Sequence, residues 1–286
     1  MKIHFLLDER LHPEPNTTFV SALALLADRG FTVSRGIPEA ALLCPERICA
    51  RHDLYVLKSC SELALSVAAV LHDRGAQFLN PYPACVLAQN RITAISRLAA
   101  AGVPVPRSWV SADFAMLCEL AAERPVVVKP YRGACGAVQI VAHSPDDLAA
   151  VSLRDQPVLV QELIATQGPD LRIQVIGEEV FARHLPPAGQ APGAPVALGS
   201  ELRDIALRCG RVFGLSVYGL DVVAGPAGPV VVDIDHAPCF GGIPAAAAVL
   251  ARHIEDVVRG RKPVVRHPPT LHASPAWTGF LQPVAA

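Results

Sequence analysis

Lysine is scarce in this chain: four residues (Lys2, Lys58, Lys129, Lys262) stand against 21 arginines among 286 positions. The net charge of −1 leaves no overall positive field, which excludes polyanion or nucleic-acid binding through bulk charge. Long apolar runs are also missing. Despite a mean hydropathy of +0.35, charge, Pro or Gly interrupts every apolar stretch before the ~18 residues that a membrane span needs. The N-terminus, MKIHFLLDER, reaches acid at Asp8 and has neither the apolar core nor the cleavage site of a signal peptide, so the chain reads as cytoplasmic. None of the eight cysteines forms a Cys-x-x-Cys pair, and a chain of this size needs no stapling; they read as reduced, small core residues. A composition that is 51% hydrophobic and 18% charged excludes disorder and accommodates two or three domains.

Strand and helix patterns alternate through the first part of the chain: KIHFLL, TTFVSALALLADRG, TVSRG, DLYVLKS, ELALSVAAVLHDRGA, QFLN. That repetition predicts a parallel-sheet α/β domain over residues 1–85, with Gly30 and Gly75 closing helices. The prolines of NPYPA (80–84) predict an extended connection, followed by a connecting unit (86–106) whose helix starts at the Asn90 N-cap and ends at Gly102. Four strands around a helix at 113–123 predict a small α+β unit over 107–164. Residues 165–262 carry LRIQVIG and EEVFARHL, an exposed and mobile loop from Pro186 to Gly199, a helix at 200–214, strands at 217–223 and 229–235, and an Ala-rich helix at 244–260. A Pro-rich tail occupies 263–286.

Chemistry concentrates in three places. Asp221, Asp233 and Asp235 lie on two predicted strands joined by AGPAG. Residues i and i+2 share a strand face, so Asp233 and Asp235 point the same way; a hairpin folded about Ala227 sets Asp221 opposite Asp233. Three crowded carboxylates repel unless a cation joins them, and hard Mg²⁺ suits such a patch; solvated aspartates on a polar hairpin face are the alternative. Lys129 follows an apolar strand in RPVVVKPYRGACG and precedes Gly133 and Gly136. A lysine beside a Gly-containing loop reads as a phosphate-binding device, or else as a strand-end lysine with its amine in water, since the loop matches neither G-x-x-x-x-G-K-[ST] nor G-x-G-x-x-G. VLVQELI (158–164) ends an apolar strand on Gln161-Glu162, an edge that fits a flat heterocycle or a plain core strand entering a turn.

In this order the pieces resemble the ATP-grasp superfamily, specifically the carboxylate–amine ligases such as those acting on ribosomal protein S6 or lysine-biosynthesis carriers, over residues 1–260. The resemblance implies an ATP-grasp fold, mixed α/β and α+β: an N-terminal parallel-sheet domain, a small lid subdomain and a C-terminal metal-binding domain. It implies ATP and Mg²⁺ (with Mn²⁺ as a substitute) as cofactors. By position, Lys129 and the Gly133/Gly136 loop match phosphate contacts, Arg91 the usual lysine at the start of the connecting helix, Gln161, Glu162 and Leu163 the adenine hinge, and Asp170 a nucleotide-contacting acid. Arg172 matches an arginine near the transferred phosphate; Asp221, Asp233 and Asp235 match the metal ligands. The chain departs from the family pattern at Asn90-Arg91, where Asp-Lys is usual, at Asp235, where Asn is usual, and at Arg183-His184, where Arg-x-Asn is expected. The resemblance implies ligation through an acyl phosphate of a small-molecule or peptide carboxylate to an amine, without nucleic acid or membrane. Phosphorylation in the manner of inositol-phosphate kinases and an inactive nucleotide-binding module are the alternatives. His236 reads as a structural neighbour of the metal patch or, less often, as a base. Oligomeric state and the substrate pair are not legible.

Overall fold

The computed structural model describes residues 1–8, 17–133, 139–150, 156–185, 193–263 and 268–270. Strands β1 (Lys2–Leu7), β2 (Thr32–Gly36), β3 (Leu54–Lys58) and β4 (Phe78–Leu79) form a parallel sheet in the order β2-β1-β3-β4. Apolar residues on both faces of β1 explain why both faces are covered. Ile3, Phe5 and Leu7 pack against Phe19, Ala22 and Leu26 of α1 (Thr17–Asp28). Leu6 on the other face joins Leu65, Ala68 and Leu71 of α2 (Glu62–Asp73), whose N-cap Ser61 accepts from Ala64 N–H. The connection from β2 to β3 carries only two short 3₁₀ turns in place of a crossover helix.

NPYPA is not extended. Pro81 caps α3 (Tyr82–Gln89) and Pro83 sits in its first turn, where a missing N–H costs nothing, so the helix-starting role of proline wins over its extended preference. The expected boundary at 85 thus falls inside a helix. Asn90 then ends α3 and caps α4 (Arg91–Ala100), its Oδ1 accepting from Ile92 and Thr93 N–H as the sequence predicts.

A second, antiparallel sheet comprises β5 (Ser108–Ser111), β6 (Val126–Pro130), β7 (Ile140–Ala142) and β8 (Val158–Glu162) in the order β5-β8-β6-β7. Val126, Val128, Val158 and Val160 pack under Leu117 and Ala121 of α5 (Phe114–Glu123). Strand alternation therefore turns Val127, Lys129, Leu159 and Gln161 to the opposite face.

The third sheet, also antiparallel, contains β9 (Leu171–Ile176), β10 (Glu179–His184), β11 (Val217–Gly225) and β12 (Gly228–Asp235) in the order β10-β9-β11-β12. Residues of α3, α4 and α6 (Ser200–Phe213) share its core, which includes Leu98, Phe213, Tyr218 and Leu220. Gly210 of α6 lies so close to Tyr218 that a Cβ there would meet the phenolic hydroxyl oxygen at 2.5 Å. Helix α7 (Ala246–Val258), expected with the C-terminal unit, packs against α1 and shares one core with Phe5, Phe19, Ile176 and Val217, so the first and third sheets are joined by common apolar burial. Asn80 adds a polar joint: its Nδ2 donates to Val217 O (2.5 Å) and His236 O (3.1 Å), and its Oδ1 accepts from Ser216 and Val217 N–H.

Within this joint His253 of α7 is buried, with Nε2 2.9 Å from Ser216 Oγ, and burial together with nearby Lys262 lowers its pKa to about 4. The unfolded chain takes up this proton near pH 6.5 and the folded protein near 4. The contribution of His253 to stability is therefore complete above about pH 6.5 and falls by about 1.4 kcal/mol per pH unit between the two values. Urea titrations at pH 7 and pH 5 should show this loss, and His253→Gln should make it shallower; an unchanged slope would exclude His253 as a source.

Candidate active site

The β11–β12 hairpin brings Asp221 opposite Asp233, and Asp235 follows two residues on. The expected partner is right, but the expected turn is displaced by half a residue. Gly225 pairs with Gly228 across Pro226-Ala227, and a bulge shifts the register between Asp221 and Val222, leaving Val232 without an opposite residue. Gly228, at φ 119°, accepts a backbone angle that other residues avoid.

The three carboxylates do not face one another unopposed. Arg91, 7% exposed, donates through Nη2 (2.9 Å) and Nε (3.2 Å) to Asp233 Oδ2, and its Nη1 donates to Pro130 O at 3.1 Å. Arg172 of β9 places Nε 2.6 Å from Asp221 Oδ1 and donates through Nη2 to Oδ2 at 3.1 Å; it lies 4.0 Å from Asp235. Asp235 Oδ1 accepts from Ala237 N–H at 2.8 Å. Lys129, 2% exposed, donates to the carbonyl of the bulged Val232 at 2.9 Å, so its amine is not in water. Burial lowers the Lys129 pKa while Asp233 opposes the shift. Burial pushes Asp221 up to about 6 against the pull of Arg172. Arg91 and Arg172 thus each answer one carboxylate and the buried Lys129 ammonium adds positive charge beside them, which offsets part of the repulsion expected from the sequence. Among the described residues no three acidic, imidazole or thiol side chains converge as a metal cluster.

Gln161 lies on the face that carries Lys129, 1% exposed, and its buried Nε2 has no hydrogen-bond partner among the described residues. Glu162 N–H donates to Arg107 O and Leu163 N–H to Pro125 O, so both amides of this segment are already used. Gly133 N–H likewise donates to Gln89 O, and a Cβ at Gly133 would make only ordinary contacts; Gly136 lies outside the described residues. Asp170 is half-buried at the head of β9, with its pKa raised by burial. Arg183 pairs with Arg172 across β9–β10, its buried Nε unpartnered among the described residues and its pKa lowered by burial and by Arg172. His236 is 3% exposed, with Nε2 3.3 Å from Ser59 O, and burial lowers its pKa. It packs between the sheets as a structural neighbour. Sequence reasoning passes over Lys58 and Asn80, which grip the turn after Asp235. A signal for Lys58 exists, since YVLK repeats the apolar approach of VVVK.

Residues 88–254 match the model of the RimK-like ATP-grasp domain. A probable alpha-L-glutamate ligase of Stenotrophomonas maltophilia is 31% identical over 209 residues, 66% of this chain and 72% of the relative. A ribosomal protein bS6–L-glutamate ligase of Salmonella paratyphi B is 28% identical over 197 residues, 61% and 64% of the two chains. The crystal structure of a RimK domain ATP-grasp protein from Sphaerobacter thermophilus superposes with a TM-score of 0.73 at 20% identity, over 89% of this chain and 100% of that one. The mixed α/β architecture of parallel and antiparallel sheets is that of the ATP-grasp fold. The chain belongs to the RimK-like ATP-grasp family and is an ATP-dependent carboxylate–amine ligase.

Proposed function

We propose that this ligase joins an amino acid of the glutamate class, through its amine, to a carboxylate carried by a peptide or protein. The names of its relatives support that substrate class. ATP lies between the second sheet, acting as the lid, and the β11–β12 hairpin. The observation that carries this reading is the single face on which Lys129 and the orphaned Gln161 Nε2 stand against the Asp-bearing hairpin. Gln161, Glu162 and Leu163 border the adenine, the Gln161 amide gaining the partner it lacks, while Asp170 lies toward the ribose side. Lys129, Arg91 and the Gly133 loop face the phosphates.

Asp221, Asp233 and Asp235 offer only hard oxygen donors, which suits Mg²⁺. Bound there, Mg²⁺ would neutralise charge on the transferring phosphates. With nucleotide bound, Arg172 and Arg91 would exchange their aspartates for phosphate oxygens, to which a guanidinium is well matched, and Asp221, Asp233 and Asp235 would then hold the metal. The acceptor carboxylate attacks the γ-phosphorus and ADP leaves; the amine then attacks the acyl carbon, loses a proton and expels phosphate, leaving an amide. Arg172 holds the transferring phosphoryl group, and positioning with charge compensation accounts for most of the acceleration.

The test supplies ATP, Mg²⁺, L-glutamate and an acidic peptide acceptor. ADP release that requires both glutamate and the acceptor, with a glutamyl residue added to the peptide by mass spectrometry, is the expected result. Phosphopeptide without amide, or amide formation with other amino acids but not glutamate, would overturn the proposed substrates.

A further inference from the structure

Lys58 ends the central strand of the first sheet, yet its ammonium does not reach water. The residue is 5% exposed, donates to Ala237 O across the joint between the first and third sheets, and lies 3.7 Å from Cys239 Sγ and 5.5 Å from the Phe19 ring centroid. A buried ammonium is costly unless its site uses the charge. The turn it grips begins with Asp235, and four of its polar backbone groups are held by side chains. His236 O accepts from Asn80 at 3.1 Å, Ala237 O from Lys58, Cys239 O from Gln174, and Ala237 N–H donates to Asp235 Oδ1 at 2.8 Å.

Three of these contacts meet on adjoining peptides. Lys58 fixes the Ala237–Pro238 peptide by its carbonyl, and the adjoining His236–Ala237 peptide, whose carbonyl Asn80 holds, fixes one oxygen of Asp235 through the Ala237 N–H. Arg172, which pairs with Asp221 in the nucleotide-free protein, stands 4.0 Å from Asp235, so Asp235 draws its hydrogen bond from the Ala237 N–H. Lys58 supplies a cation beside the turn that Asp235 opens. We propose that Lys58 is a positioning residue that helps set the rotamer of Asp235 for metal binding by anchoring the backbone of Ala237, a role that rests on the metal reading above. The first sheet then contributes to the metal site indirectly, through the turn after Asp235.

The experiment measures Mn²⁺ affinity by electron paramagnetic resonance in the complex with a non-hydrolysable ATP analogue. Lys58→Met should weaken Mn²⁺ about tenfold, as loss of a group that orients a metal ligand does. Binding of the analogue in EDTA should stay within about twofold, which a general loosening of the joint would not permit. In an Asp235→Ala background Lys58→Met should have no further effect on Mn²⁺. A full additional loss there, or wild-type Mn²⁺ affinity in Lys58→Met, overturns the positioning role and leaves the metal reading standing. Unchanged Mn²⁺ affinity in Asp235→Ala itself overturns both. Should Lys58→Met fail to fold, Lys58→Gln carries the same test. This neutral side chain is one atom shorter and more readily buried, and it should weaken Mn²⁺ at least about threefold; wild-type affinity in that variant overturns the proposal.

Discussion

Asp233→Asn should abolish Mg²⁺-dependent ADP release and, in the absence of any ligand, lower the stability of the protein by about 2 kcal/mol, in the range of hydrogen bonds to charged groups. The sign of the second effect comes from the structure. Three carboxylates on one hairpin face suggest that neutralising one relieves repulsion and stabilises the apo protein. Asp233, however, is already the partner of Arg91, whose side chain is 8% exposed and which the substitution would leave without its counter-charge. The amide oxygen of the new side chain would still accept from Arg91, so the loss is that of charge assistance and stays below the full cost of a broken buried pair. Urea unfolding in EDTA reads the stability, and ADP release across a Mg²⁺ titration reads the chemistry. Higher stability in the variant would mean that the Arg91 pair contributes less than the carboxylate repulsion; unchanged Mg²⁺ dependence would remove Asp233 from the metal set.

The same residues show what a sequence discloses and what it withholds. The apolar run KIHFLL, the cap at Asn90 and the spacing of Asp221, Asp233 and Asp235 are local signals, written within a few residues, and each is recovered in the fold. The bulge at Val232 is not local. Nothing in VVVD marks an extra residue, because the bulge is set by the two-residue turn at Pro226-Ala227 and by the register between β11 and β12. NPYPA misleads for a different reason: proline favours both an extended predecessor and a helix start, and burial of Ala84 and Cys85 against other elements decides between them. The arginine partners of the carboxylates come from α4 and β9, separated from the hairpin by 142 and 49 positions in the chain. Spacing within a motif cannot reveal such pairs. Lys58 is hidden in the same way, because its partner, Ala237, lies 179 positions away.

Lys129→Met should weaken ATP binding by about 1.5–3 kcal/mol, roughly tenfold to a hundredfold, while the melting temperature changes little. The two halves of this expectation have separate causes. In the folded, nucleotide-free protein the ammonium donates to the carbonyl of Val232, and burial already lowers its pKa. Methionine fills similar space and removes the cost of burying a charge, while the Val232 carbonyl loses its donor; these terms oppose each other, so the net change in stability is small. ATP changes the balance, since its phosphates give the ammonium an anionic partner that methionine cannot replace. Lys129→Arg should not restore affinity in full, because a planar guanidinium cannot reproduce both the contact with Val232 and a compact point charge on the same face. Isothermal calorimetry with Mg²⁺ and a non-hydrolysable analogue separates the contributions. Equal affinity in the wild type and Lys129→Met, together with a marked fall in melting temperature, would make Lys129 a brace for the bulge at Val232 and leave phosphate binding to Arg91 and Arg172.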